Sequence, residues 1–221
     1  MSKFILFSLL WWLTGNPFIA IVVLLVIIYV LDRRFVGLTP SIVKPLRRAR
    51  KIRQLREELA LSPHHTSNKL ELARLLMEKK RFDEAAGLLE QVLQVMEDSA
   101  DVRSELGICE LRKGRLEQGE ALIAEALELN PRVKYGEPYL ELGEALGGVQ
   151  PEKAIRYLQM FGQVNSSSCE AYYKLGRLYK KLGRNQEASG AFREAIQLYR
   201  GLPKYKRRHE RKWALLARLQ G

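Results

Sequence analysis

Three histidines and two cysteines are all that this 221-residue chain offers to a transition metal. His64 and His65 adjoin, His209 stands far from both, and Cys109 and Cys169 belong to no C-x-x-C motif. A structural zinc site takes about four ligands at characteristic spacings, so no metal centre is expected. Both cysteines fall on stretches of helical pattern where a small buried thiol packs well, and they read as core residues. Phosphate-cradling glycine loops, dinucleotide fingerprints, nucleophile elbows and paired metal histidines are also missing. The chain therefore reads as non-enzymatic, with no cofactor, and no strand is predicted anywhere along it.

Acidic residues are scarce at both ends. Lys and Arg total 37 against 25 Asp and Glu, for a formal charge of +12. Residues 32–65 hold nine basic side chains against three acidic ones, and residues 203–221 hold seven against one. Residues 66–168 are mildly acidic. A nucleic-acid reader instead spreads its basic residues along one binding face.

Charge of either sign is absent from residues 4–31, a run longer than the ~20 residues a bilayer helix needs. Thr14-Gly15-Asn16-Pro17 interrupts it as a stop and a start: Gly ends a helix, Asn caps the next, and Pro takes its first turn. The expectation is a short helix over 3–13, with Trp11 and Trp12 at the interface, and a spanning helix over 17–35. One long kinked helix across the whole run is the alternative. A cleaved signal peptide is disfavoured, because only Lys3 precedes the run, no small-x-small site follows, and Asp32-Arg33-Arg34 come at once.

Arg33, Arg34, Lys44, Arg47, Arg48, Arg50 and Lys51 then follow the apolar run. The positive-inside rule places what lies beyond them in the cytoplasm, giving a single-pass protein of the cell membrane. These residues serve topology and solvation alone, or else also adhere to anionic lipid at about 1 kcal/mol each. Asn165-Ser166-Ser167 matches a glycosylation acceptor, which stays unused on that side of the membrane.

What fills the remaining two-thirds is a pattern with a 34-residue period. Leu106-Gly107, Gly114, Ala126 and Pro131 recur as Leu175-Gly176, Gly183 and Ala195, with weaker copies at Leu72-Ala73, Ala85 and Leu142-Gly143, Ala154. Each copy is an amphipathic helix, a turn and a second amphipathic helix, the mark of a stacked-repeat solenoid. Small residues at Gly107, Gly143 and Gly176 allow the two helices of a repeat to cross closely, while Leu89, Ile123, Leu158 and Phe192 fill the space between them. The third copy is one residue short at its turn, Leu146-Gly147-Gly148-Val149-Gln150, and puts Phe161 where alanine is usual. Looser or re-angled packing is expected there.

On these residues the chain resembles the tetratricopeptide repeat family, and its architecture is similar to that of bacterial membrane-anchored proteins of that family. The resemblance implies an all-α solenoid. Its segments are a membrane anchor (1–36), a basic juxtamembrane linker with a half-repeat helix (37–65), four repeats (66–99, 100–133, 135–168, 169–202) and a basic capping helix (203–221). In that helix Trp213 is expected to be buried against the fourth repeat. The cap solvates the array, or touches anionic membrane or nucleic acid.

The resemblance also implies a concave groove lined by the first helices. Glu105, Ile108, Glu141, Glu144, Tyr173, Lys174, Arg177, Lys180 and Lys181 fall at its ligand-facing positions. The groove turns from acidic to basic along its length, and a peptide with an acidic end or a free carboxylate suits the fourth repeat. The asparagines of a chaperone-tail clamp are absent. The leading reading is a membrane-anchored cytoplasmic scaffold or adaptor for a protein partner, in the regulation or assembly of a membrane complex. The alternative is anionic-lipid or nucleic-acid binding through the basic juxtamembrane and C-terminal helices.

Overall fold

A computed structural model describes residue 12, residues 15–31 and residues 43–221. Eleven α-helices and one short 3-10 turn occupy them, with no strand among the described residues. Helix α1 is Pro17–Leu31. Gly15 takes φ +62° before it, and the Asn16 side chain accepts the Phe18 N–H at 2.9 Å, so Asn16 caps this helix. Its 15 residues are wholly apolar and rise about 22 Å, against a hydrocarbon core of about 30 Å. Among the described residues no helix is long and apolar enough to cross a membrane. The described part of the expected span is Pro17–Leu31, and its residues 32–35 lie outside the described residues. Residues 32–42, with Arg33 and Arg34, lie outside the described residues, as do residues 3–11 and 13 of the short helix and the side chain of Lys44.

Two compact units divide the chain, residues 1–51 and residues 52–221, and helix α2 (Val43–Leu61) runs through the boundary. In the second unit four helical hairpins follow in sequence. They are α3 (Thr66–Glu78) with α4 (Phe82–Leu93), α5 (Ala100–Arg112) with α6 (Leu116–Leu129), α7 (Glu137–Leu146) with α8 (Pro151–Val164), and α9 (Cys169–Lys181) with α10 (Asn185–Gly201). Helix α11, Lys204–Gln220, closes the series.

Three of the four first helices start on a side-chain cap. Ser99 Oγ accepts the Val102 N–H and Ser168 Oγ accepts the Ala171 N–H, each at 3.3 Å. His65 Nδ1 does the same for Asn68 at 3.3 Å, which gives one of the few histidines a structural task. The turns inside the first, second and fourth repeats use a left-handed residue, supplied by Lys80 (φ +60°), Gly114 (φ +86°) and Gly183 (φ +73°).

Close helix crossing holds each hairpin together. A Cβ on Gly107 would lie 2.9 Å from the carbonyl oxygen of Gly119, and one on Gly176 would lie 2.6 Å from the Phe192 ring. Ala85, the first repeat's counterpart of Gly119, is wholly buried, as are Ala126 and Ala195, whose small side chains let the next element approach. Ile52 and Leu55 of α2 join the core of the first repeat. Trp213 of α11 is half-buried, not sealed in; its ring stacks 5.5 Å from that of Tyr173.

The third repeat departs from expectation in an informative way. A 3-10 turn over Val133–Gly136 precedes α7, with Lys134 (φ +48°), Tyr135 (φ +55°) and Gly136 (φ +84°) all left-handed. The repeat's first helix starts at Glu137, two residues after the position the sequence suggested. Phe161 is buried, and the missing Cβ of Gly136 leaves the room its ring needs, since an added carbon would meet that ring at 3.3 Å.

Candidate partner-binding cleft

Ion pairs between successive first helices commit most of the charge that the sequence assigned to a groove. Glu105 is wholly buried on α5, and its Oε1 accepts from Arg74 of the first repeat at 2.8 Å and from Lys134 of the inserted turn. Arg112 at the end of α5 pairs with Glu141 and, at 3.1 Å, with Glu144 of α7. Glu144 in turn holds Lys174 of α9, which also pairs with Glu170 at 2.7 Å and lies 5.4 Å from the Trp213 ring. One series of charged contacts thus runs from the first repeat to the capping helix, with Arg74–Glu105, Arg112–Glu141, Arg112–Glu144 and Lys174–Glu144 bridging successive repeats.

Several expected groove residues are corrected by this arrangement. Glu105, Ile108 and Tyr173 are buried and cannot face a ligand. Glu105 is drawn inward by its two cations, Ile108 joins the core around α7 and α9, and Tyr173 packs between Phe192 and Trp213. Lys180 donates to Gln220 of α11 at 3.0 Å. Glu141 belongs to the series of bridging contacts.

Four of the nine lie around one concavity. Glu144, Lys174, Arg177 and Lys181 line a cleft of about 510 Å³ between α7 and α9, with Arg112 at its edge. Gly147 and Gly148 form part of its wall where α7 stops. With no side chains there the backbone is open to the cleft; the site a Cβ on Gly148 would occupy is 3.9 Å from the Lys181 ammonium. Arg177 and Lys181 are exposed and make no ion pair among the described residues. Sequence reading took the two glycines as part of a shortened turn and passed over Lys134. The signal for Lys134 was the inserted turn that breaks the 34-residue period.

The electrostatics follow from the pairs. Burial pushes the Glu144 carboxyl up, but the hydrogen bond and charge of Lys174, with Arg112 behind them, outweigh it and hold the group below the usual carboxylate range. At Glu141 burial wins over Arg112, and the neighbouring Glu144 adds to it, so that carboxyl titrates above its usual range. The cleft therefore presents one fixed carboxylate, two neutralised cations and two free ones. Its net field favours an anion. No cluster of His, Cys, Asp or Glu that could hold a metal ion occurs among the described residues.

Comparison with known proteins agrees with the hairpin architecture. Two family models, each described as tetratricopeptide repeat, match residues 76–136 and residues 169–202. A crystal structure of MamA is similar over 66% of this chain and 85% of its own, at 22% identity and TM-score 0.58. YrrB, described as a tetratricopeptide repeat protein with an unusual peptide-binding site, is similar over 77% of this chain and 86% of its own, at 16% identity and TM-score 0.54. These likenesses show the fold. No curated protein matches the sequence.

Proposed function

The chain belongs to the tetratricopeptide repeat family, and on that premise we propose that it is a membrane-anchored scaffold holding a partner protein by an acidic segment in the cleft between its third and fourth repeats. The observation that carries this reading is the pair of free cations, Arg177 and Lys181, at a concavity walled by Gly147 and Gly148. Elsewhere on the first helices the charged side chains discussed above are spent on bridging repeats. Here two are left over, and a carboxylate arriving from solution is their natural partner. A free C-terminal carboxylate or a run of Asp and Glu both meet that requirement. YrrB supports the reading as a solenoid of the same fold described with a peptide-binding site.

The anchor rests on the apolar sequence of residues 4–31 and the basic residues after it. In this reading the segment through α1 lies in the cell membrane and the repeats lie in the cytoplasm. Arg33, Arg34, Lys44, Arg47, Arg48, Arg50 and Lys51 then face anionic headgroups. Alkaline carbonate extraction of membranes, with protease accessibility of the repeats in spheroplasts, tests it. Release of the chain by carbonate would remove the anchor and leave the cleft untouched.

The partner test uses the full chain purified from membranes in mild detergent. Arg177→Glu with Lys181→Glu should abolish co-purification of a partner, while Lys204→Glu on α11 leaves it unchanged. Retention of the same partner by the cleft variant would refute the site.

A further inference from the structure

Helix α11 carries seven basic side chains and a single acidic one, and the acidic one faces inward. Glu210 accepts the Cys169 N–H at 2.9 Å, capping α9. Some of the basic groups also have internal tasks. Lys206 donates to Ser167 at 3.0 Å, Arg207 donates to the Leu202 and Arg200 carbonyls, and Lys212 lies 4.7 Å from the Trp213 ring. Arg200, Arg211 and Arg218 do not; their side chains form no ion pair among the described residues. These three surround one cleft of about 350 Å³ between α10 and α11, whose apolar lining includes Ile196, Tyr199 and Leu215.

We propose that this cleft is a second docking site, and that its occupant is an acidic amphipathic helix of a partner protein. Arg211, Leu215 and Arg218 fall at i, i+4 and i+7 on α11, one stripe about 10 Å long. A helix carrying Glu-x-x-Leu-x-x-x-Glu presents the complementary stripe. Its two carboxylates reach the two guanidiniums, each in a planar geometry that permits paired hydrogen bonds, and its leucine enters the recess over Ile196 and Tyr199. Ile196 and Tyr199 are half-buried in the cleft, so a protruding side chain reaches them and a flat bilayer does not. A second copy of this chain is a poor end-to-end occupant, because both α2 and α11 are strongly basic.

The test measures fluorescence anisotropy of a labelled helix-forming peptide with that Glu and Leu spacing, titrated with the full chain in mild detergent. The expected result is binding that Arg211→Glu with Arg218→Glu weakens by about tenfold or more. Leu215→Ser should weaken it as well, with far-UV circular dichroism confirming that each variant keeps its helices. Arg177→Glu with Lys181→Glu should leave the affinity unchanged, which separates this site from the cleft of the fourth repeat. Equal affinity for the arginine variant overturns the proposal. So does equal binding of a peptide with Ser in place of Leu, since that reports charge alone. If the arginine variant loses binding to phosphatidylglycerol vesicles but keeps the peptide, the surface serves lipid and the proposal fails. Loss of a self-associated species instead of peptide binding would assign the face to a second copy and equally overturn it.

Discussion

Replacing glycine by alanine should have opposite effects at two helical positions of this solenoid. In α10, an alanine Cβ at Gly190 would meet nothing within 4 Å. The substitution then acts through backbone entropy alone and should stabilise by about 0.5–1 kcal/mol. In α5, the same carbon at Gly107 would lie 2.7 Å from Ile123 Cγ1 and 2.9 Å from the Gly119 carbonyl oxygen. Ile123 is wholly buried and the carbonyl belongs to the facing helix, so neither can swing away. Overpacking of this kind costs about 1–3 kcal/mol. With a backbone atom among the clashes we take about 3, and after the helix-propensity gain of about 1 the net loss is about 2 kcal/mol. Urea unfolding of the full chain in mild detergent, followed by circular dichroism, measures both changes. In a thermal melt the midpoint should rise about 1–4 °C for Gly190→Ala and fall about 4–8 °C for Gly107→Ala. If Gly107→Ala is neutral or stabilising, the helices of the second repeat do not cross as closely as described, and the argument for the family's small residues fails with it.

Three further outcomes follow from the ion pairs and thiols. Glu105→Ala strands two cations around a buried site and should destabilise by about 3 kcal/mol, whereas Lys134→Ala should cost less because Arg74 still meets the carboxylate; the same urea titration distinguishes them. The Glu144 carboxyl titrates lower in the folded chain than in the unfolded one, so its stabilising effect is full above the usual carboxylate range and fades as pH falls through its folded value; Glu144→Gln should flatten the acid side of the stability profile, and an unchanged slope would refute the assignment. Burial pushes both Cys109 and Cys169 up to about 12, Glu210 adding to the effect at Cys169, so neither should react with a thiol reagent at neutral pH until denaturant is added; rapid labelling of the native chain would contradict their burial.

Much of the fold was legible because a repeat constrains itself. Gly107, Gly119, Gly176 and Phe192 announce close helix crossing by residue size alone, and the positions of Gly114 and Gly183 require a backbone that only glycine adopts freely. The candidate cleft was legible in part. Lys174, Arg177, Lys181 and Glu144 could be placed on first-helix faces by counting along a 34-residue repeat. Counting could not say which of them would be consumed by a neighbour, and so Glu105, Ile108 and Tyr173 were read as groove residues although each is buried.

The sequence by itself determined the hairpins, their turns and the basic ends, because helix periodicity, glycine geometry and charge are properties of short stretches of chain. Only the tertiary structure decided which charges remain free. Whether Arg112 meets Glu141, or Lys174 meets Glu144, depends on how far one repeat slides and turns against the next, and between the second and third repeats the left-handed insertion Lys134-Tyr135-Gly136 intervenes. Ion pairing is a matter of a few ångströms between residues some thirty positions apart, and a repeat pattern records the spacing along the chain without recording the angle between its units.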